Sequence, residues 1–97
     1  MPAYVSLFNF TDQGIKSVKD TVKRTQMIKE QAKSVGGRII GAWWLQGQYD
    51  GILIFEAPDE ESAMRQIVAA GMQGNTRSVT LRAFSEDEMT KVLAGLP

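Results

Sequence analysis

The 97-residue chain holds 43% hydrophobic and 23% charged residues, a balance that excludes a disordered segment and suits one domain, 1–97, with a single small core. Eleven Lys/Arg against eleven Asp/Glu give a formal charge of zero, so no global field draws the chain to nucleic acid or to an anionic membrane. Cysteine and histidine are both absent, which removes disulfides, thiolate metal sites, thiol catalysis, the usual haem ligand and the commonest general base.

The charge is unevenly placed: residues 12–38 carry seven Lys/Arg against three Asp/Glu, and residues 39–97 carry four against eight. Solvated helix faces account for such a split. No apolar stretch approaches the ~20 residues of a membrane span, and no signal-peptide pattern opens the chain, so a cytoplasmic protein is expected.

Ala3 to Phe10, rich in aromatic and β-branched residues, reads as a strand with Val5, Leu7 and Asn9 on one face and Tyr4, Ser6, Phe8 and Phe10 on the other. Thr11-Asp12 offers an N-cap. Ile15, Val18, Val22, Ile28, Ala32 and Val35 then recur at helical spacing up to the Gly36-Gly37 stop. As one rod, that segment measures ~35 Å at 1.5 Å per residue, longer than strands of ~25 Å. A short helix or turn over Gly14 to Asp20, followed by the main helix from about Thr21, is therefore expected. Arg38 to Gln46 and Gly51 to Glu56 read as the second and third strands, joined by Gly47-Gln48-Tyr49-Asp50. Asp59-Glu60-Glu61 opens a second long helix, to about Met72, with carboxylates suited to the helix dipole. Thr76 to Phe84 alternates as a fourth strand. Ser85 with Glu88 forms a capping box for a short last helix with Met89, Val92, Leu93 and Leu96 on its apolar side.

This order predicts an α+β, ferredoxin-like βαββαβ fold: one antiparallel sheet, its first and third strands central, two helices on one face and a short C-terminal helix. In the third strand Ile52 and Ile54 point one way and Leu53 and Phe55 the other, so both sheet faces are apolar. The helices cover only one. The open face is expected to carry Tyr4, Phe8, Phe10, Thr80, Arg82 and Phe84 with one alternating set from the Trp43–Leu45 and Ile52–Phe55 runs. Such a surface predicts a homodimer or higher homo-oligomer packed sheet to sheet.

Several separate blocks of the chain, in register and over nearly its whole length, resemble the GYD-domain family. They are Tyr4-Val5-Ser6-Leu7-Phe8-Asn9-Phe10-Thr11-Asp12-Gln13-Gly14-Ile15, the Gly47-Gln48-Tyr49-Asp50 hairpin, Glu56-Ala57-Pro58-Asp59-Glu60-Glu61-Ser62-Ala63, and Gly74-Asn75-Thr76-Arg77 with Thr80-Leu81-Arg82-Ala83-Phe84. The family takes its name from the Gly-x-Tyr-Asp segment, here Gly47, Tyr49 and Asp50. The resemblance implies a ferredoxin-like fold of the dimeric α+β barrel type and brings no established activity. Family members often carry proline near the position of Val22, so here the helix break rests on Gly14 and the Thr21-Val22 pair.

Topology brings Asn9 to Gly14, Gln46 to Gly51 and Gly71 to Arg77 to one edge of the sheet. Tyr49, Asp50, Asn9, Thr11, Gln13 and Asn75 are the candidate ligand-binding residues there, with Trp44 as a pocket wall and Arg82 as an anion anchor. Each also has a structural role to weigh: Asp50 accepting backbone amides in the turn, Tyr49 packing its ring, Asn75 shaping a turn after Gly74, Arg82 in an ion pair. Asp59-Glu60-Glu61 complements a helix dipole and makes no metal cluster, because consecutive helix residues do not face each other. No metal and no cofactor are expected.

The leading expectation is a homo-oligomeric domain that binds a small molecule in a pocket near the Gly47–Asp50 hairpin. One alternative is a cofactor-independent enzyme of oxygenase or isomerase type, which borrows its chemistry from fold alone. Another is a structural or regulatory oligomerisation module. Single-stranded RNA binding suits the strand order but lacks a basic sheet, so no nucleic acid and no membrane partner are expected.

Overall fold

In a computed structural model that describes all 97 residues, the chain runs β1 (Ala3–Phe10), α1 (Asp12–Lys16), a 3₁₀ turn (Val18–Asp20) and α2 (Thr21–Ser34). It continues through β2 (Arg38–Trp44), β3 (Gly51–Glu56), α3 (Glu60–Met72), β4 (Thr76–Ala83) and α4 (Glu86–Ala94). The four strands form one antiparallel sheet in the order β2-β3-β1-β4, so β1 and β3 are central, as the ferredoxin-like reading requires. No helix is long and apolar enough to cross a membrane.

The break between α1 and α2 falls where expected, and its causes are local. Thr11 caps α1, its hydroxyl accepting from Gly14 N at 3.0 Å. Gly14 is required by close approach, since an added Cβ would sit 2.8 Å from the Asn75 carbonyl carbon and nearer still to its oxygen. The Ser17 carbonyl then accepts from Asp20 N at 3.0 Å and from the Arg24 guanidinium at 3.1 Å, which turns the chain into α2. Asp59 caps α3 through Ser62 N, and this hydrogen bond holds its carboxyl below the ordinary carboxylate range.

The register assigns the faces. Tyr4 lies opposite Phe55 and Arg82, Ser6 opposite Leu53 and Thr80, and Phe8 opposite Gly51 and Ser78. This set looks toward the helices: Tyr4 (8% exposed) stacks on Phe55 (4%) with ring centroids 5.3 Å apart, against Ala57 and Ala63. The open face instead carries Val5, Leu7, Ile52, Ile54, Trp43, Val79 and Leu81. It is as apolar as expected, but Tyr4, Phe8, Phe10, Thr80 and Arg82 stand on the opposite side of the sheet from the one the sequence reading gave them. Phe84 lies just past β4, under the Arg82 guanidinium. Period two tells which residues share a face and not which face the helices cover. The packing decides: the buried residues meeting Tyr4 and Phe55 are the small Ala57 and Ala63, with Ile39 and Ile67 at the margin, so the sheet supplies the large rings that fill the layer.

A bulge at Ile39–Gly41 adds a further twist in β2. Strict alternation would place Ile39 and Trp43 together. The extra residue, Ile40, instead leaves Ile39 paired with Phe55 in the core and turns Trp43 outward, its indole lying across Gly41. Trp44 consequently faces the helices, and Nε1 donates to Thr21 Oγ1 at 3.1 Å.

α4 begins with the complete Ser85–Glu88 capping box. Arg82 reaches it from β4, donating to Glu88 Oε2 at 2.7 Å while its guanidinium lies over the Phe84 ring at 4.5 Å. The Arg82 hydrogen bond and then the Ser85 amide hold the Glu88 carboxyl down at about 2. The apolar side of α4, Met89, Val92 and Leu93, stays exposed, as does Leu96 just past its end.

Candidate ligand site

The hairpin corner is built mainly from main-chain ties. Asp50 accepts from Phe10 N through Oδ2 at 2.9 Å, and its own amide donates to Phe8 O at 2.9 Å and to Asn9 Oδ1 at 3.2 Å. Its carbonyl accepts from Leu45 N at 2.8 Å. One aspartate thus joins the end of β1 to both sides of the β2–β3 hairpin. Gly47 has φ +112°, a left-handed backbone that favours glycine, and Gly51 leaves the room that the Phe8 ring occupies.

The neighbouring loops close the same end. Thr11 donates its hydroxyl to Gly74 O at 2.6 Å and its amide to Asn75 O at 3.1 Å. Gln13 Nε2 donates to Gln73 O and to Asn75 Oδ1, both at 2.9 Å. Asn9, Thr11, Gln13, Asp50 and Asn75 therefore come together through hydrogen bonds they make with one another's segments.

Beneath this corner, between the sheet and the helices α2 and α3, lies a cavity of about 100 Å³. Ser6, Phe8 and Phe10 of β1, Leu53 and Phe55 of β3, and Thr76 and Ser78 of β4 form its floor. Thr21, Arg24, Thr25 and Ile28 of α2 and Gln66, Ile67 and Ala70 of α3 form its roof, with Ile39, Gln73 and Asn75 at its ends. A groove lined by α2 and α3 residues shares Ile28, Gln66 and Ala70 with it, so these three side chains stand between the two spaces. The cavity exists because small polar residues oppose large ones on the helix side: Ser78 faces Phe8, and Ser6 faces Leu53.

Two donors in this space have no partner. Arg24 Nη1 donates to Ser17 O and Ser17 Oγ, each at 3.1 Å, whereas Arg24 Nη2 is buried and unpaired. Gln66 Nε2 is also buried and unpaired. An unsatisfied buried donor costs about 1–3 kcal/mol, and more when it is charged. Most buried polar groups in folded proteins are satisfied, so two orphans on one cavity wall mark a departure from that rule.

Of the sequence-predicted residues, Asn75 lines the cavity and Trp44 reaches it through Thr21. Asn9, Thr11, Gln13 and Asp50 form the scaffold at its end. Tyr49 is half-buried in the hairpin and is not on the cavity wall. Arg82, on β4 opposite Tyr4, lies at the other end of the sheet and is engaged with Glu88. Sequence reading missed Arg24 and Gln66. A signal for Arg24 was present, for it stands four residues before Ile28 and eight before Ala32, a cation on the apolar stripe of α2. No group of three or more Asp, Glu, His or Cys side chains is placed to hold a metal ion.

The model of the GYD domain matches residues 4–93, nearly the whole chain. The chain belongs to the GYD domain family. Among its relatives is a protein of Thermus thermophilus named glutamine synthetase and cystathionine beta-lyase binding protein. The two are 26% identical over 85 residues, which span 87% of this chain and 90% of the relative. No solved structure matches the chain. The corner that gives the GYD family its name is, in this member, a hydrogen-bonded hairpin tied to the end of β1, and none of Gly47, Tyr49 and Asp50 lines the cavity.

Proposed function

We propose that this GYD domain is a homodimeric binding module that takes a small molecule in the cavity between sheet and helices. The observation that carries this reading is the cavity itself, which combines an aromatic and aliphatic interior with polar side chains, two of them holding an unpaired donor. The site lies behind the Gly47–Asp50 hairpin, on the side of the sheet away from the open face.

The dimer rests on the surface left uncovered. Only ten of 97 residues are buried, and Val79 and Leu81 on the open face are each 50% exposed. The radius of gyration is 14.6 Å, against about 12.5 Å for a compact domain of this length. A second copy packed on the open face supplies the missing layer. Four strands of six to eight residues, spaced about 4.8 Å apart, give that face about 450 Å² in projection. A standard interface removes about 800 Å² per partner, and the apolar side of α4 adds to the sheet.

A Ser6→Leu variant tests the cavity. Ser6 is buried on its floor, and the larger side chain fills it. A ligand-observed NMR screen is expected to find small molecules that bind the wild type and not this variant, with the circular dichroism spectrum unchanged. Ligands that bind both equally place the site elsewhere.

A second reading is favoured by the name of the Thermus relative: docking on a larger enzyme. The exposed stripe Met89, Val92, Leu93 and Leu96 is the surface suited to it. Co-elution of the wild type with glutamine synthetase, lost in Leu93→Asp, supports that reading; no co-elution rejects it.

A further inference from the structure

We infer that the ligand of this cavity is a small organic carboxylate with an apolar body, its anionic end held by Arg24. The inference rests on the cavity being a ligand site and adds the chemistry of what enters. Arg24 is the one charged side chain on the cavity wall. The ion pairs of the chain join Arg38 to Glu56, Arg65 to Glu61 and Arg82 to Glu88, so Arg24 has no carboxylate of its own.

A guanidinium does not lose its proton in a protein, so this charge is permanent. Ser17 fixes one side of the fork through Nη1, and Nη2 is left buried with no acceptor. Removing a charge from water without a counter-ion is unfavourable, and charge-assisted hydrogen bonds are the stronger class. A carboxylate that enters supplies the missing acceptor and the missing negative charge together. The kink between α1 and α2 preorganises this arrangement, because it presents both Ser17 oxygens to Nη1.

The rest of the wall narrows the class. Phe8, Ile28, Leu53, Phe55 and Ile67 line the interior, which suits an aromatic or branched aliphatic body. A doubly charged phosphoryl group would face that surface with one free guanidinium nitrogen to meet it, so a monocarboxylate fits better. The other orphan donor, Gln66 Nε2, lies beside Gly37, where the chain leaves α2. Ala32, whose carbonyl also borders Gly37, is eight residues beyond Arg24, or about 12 Å along the helix. The two donors thus mark opposite ends, and Gln66 suits a neutral acceptor, a carbonyl or hydroxyl oxygen, at the end of the ligand away from its carboxylate.

The test is a titration of the protein with 4-hydroxybenzoate and with its uncharged counterpart 4-hydroxybenzamide, followed by ligand-observed NMR and by the Arg24 Nε–H resonance. The carboxylate is expected to bind at least tenfold more tightly and to shift that resonance, and Arg24→Met is expected to bring the two affinities within twofold. Equal affinities in the wild type, or a preference that survives Arg24→Met, overturn the carboxylate assignment while leaving the cavity as a site for neutral ligands. If neither compound binds and the Ser6→Leu screen yields only neutral ligands, the carboxylate assignment fails and the cavity reading stands. If that screen is also empty, both fail. The wild-type comparison needs no variant, so it decides the matter even where Arg24→Met does not fold.

Discussion

Replacing Gly14 by alanine probes the joint between α1 and the loop before β4. The added methyl would lie 2.8 Å from the Asn75 carbonyl carbon, where ordinary contact begins at 3.4 Å, and closer still to the oxygen. The loop has to retreat, and the bonds it makes to Thr11 N (3.1 Å), Thr11 Oγ1 (2.6 Å) and Gln13 Nε2 (2.9 Å) lengthen or break. Two or three such bonds at about 1 kcal/mol each come to about 2–3 kcal/mol. The better helix propensity of alanine returns about 1 kcal/mol at most. A net loss of about 1–2 kcal/mol follows, which lowers Tm by about 5–15 °C in a domain of this size. Gly71→Ala is the matched control, because nothing lies within 4 Å of its added methyl in α3. It is expected to stabilise by about 0.5–1 kcal/mol. Urea denaturation of both variants and the wild type at one protein concentration measures the difference. A Gly14→Ala variant as stable as the wild type, or more so, would rule out the close approach to Asn75 as the reason for glycine at this position.

Leu81→Asp places a carboxylate on the open face, on the edge strand β4 opposite Val5. Desolvating an unpaired charge costs several kcal/mol and each ~1.4 kcal/mol is tenfold, so the dimer Kd should rise at least about a hundredfold. Sedimentation velocity reads this directly, and an unchanged dimer removes the open face from the interface. Glu88 gives a pH prediction. Its folded pKa, held at about 2 by Arg82 and Ser85, lies below its ordinary value of 4.5. The group therefore contributes stability that is fully present above pH 4.5 and is lost as pH falls toward 2. The gap in stability between wild type and Glu88→Gln should be constant from about pH 7 to 5 and close by about pH 2. A gap independent of pH contradicts the assigned partners.

The fold was legible because each boundary carries its own chemistry. Thr11, Asp59 and Ser85 cap three helices, and the glycines after Ser34 end the longest one. The break before Thr21 followed from a length mismatch, with Gly14 and the Thr21-Val22 pair to place it. The faces of the sheet were less legible. Alternation paired Tyr4 with Phe8 correctly, but only the alanines packed against Tyr4 and Phe55 decide that these rings turn inward. The bulge at Ile40 was hidden for a similar reason, since an inserted residue leaves the local pattern apolar. At the site, the convergence of Asn9, Thr11, Gln13, Asp50 and Asn75 came from topology. A pocket near the hairpin was expected as well, but its lining was not, because it depends on Ser6 and Ser78 standing opposite larger partners across strands distant in sequence. Arg24 was hidden among the lysines of α2 although it stands on the stripe those lysines avoid.

The central claim, a dimer with a small molecule in each cavity, is tested most directly by native mass spectrometry of freshly purified protein. An ion of twice the 10.7 kDa chain mass, shedding a small organic acid on collisional activation, is expected. A bare ion of 10.7 kDa, unchanged when 4-hydroxybenzoate is added, would contradict it.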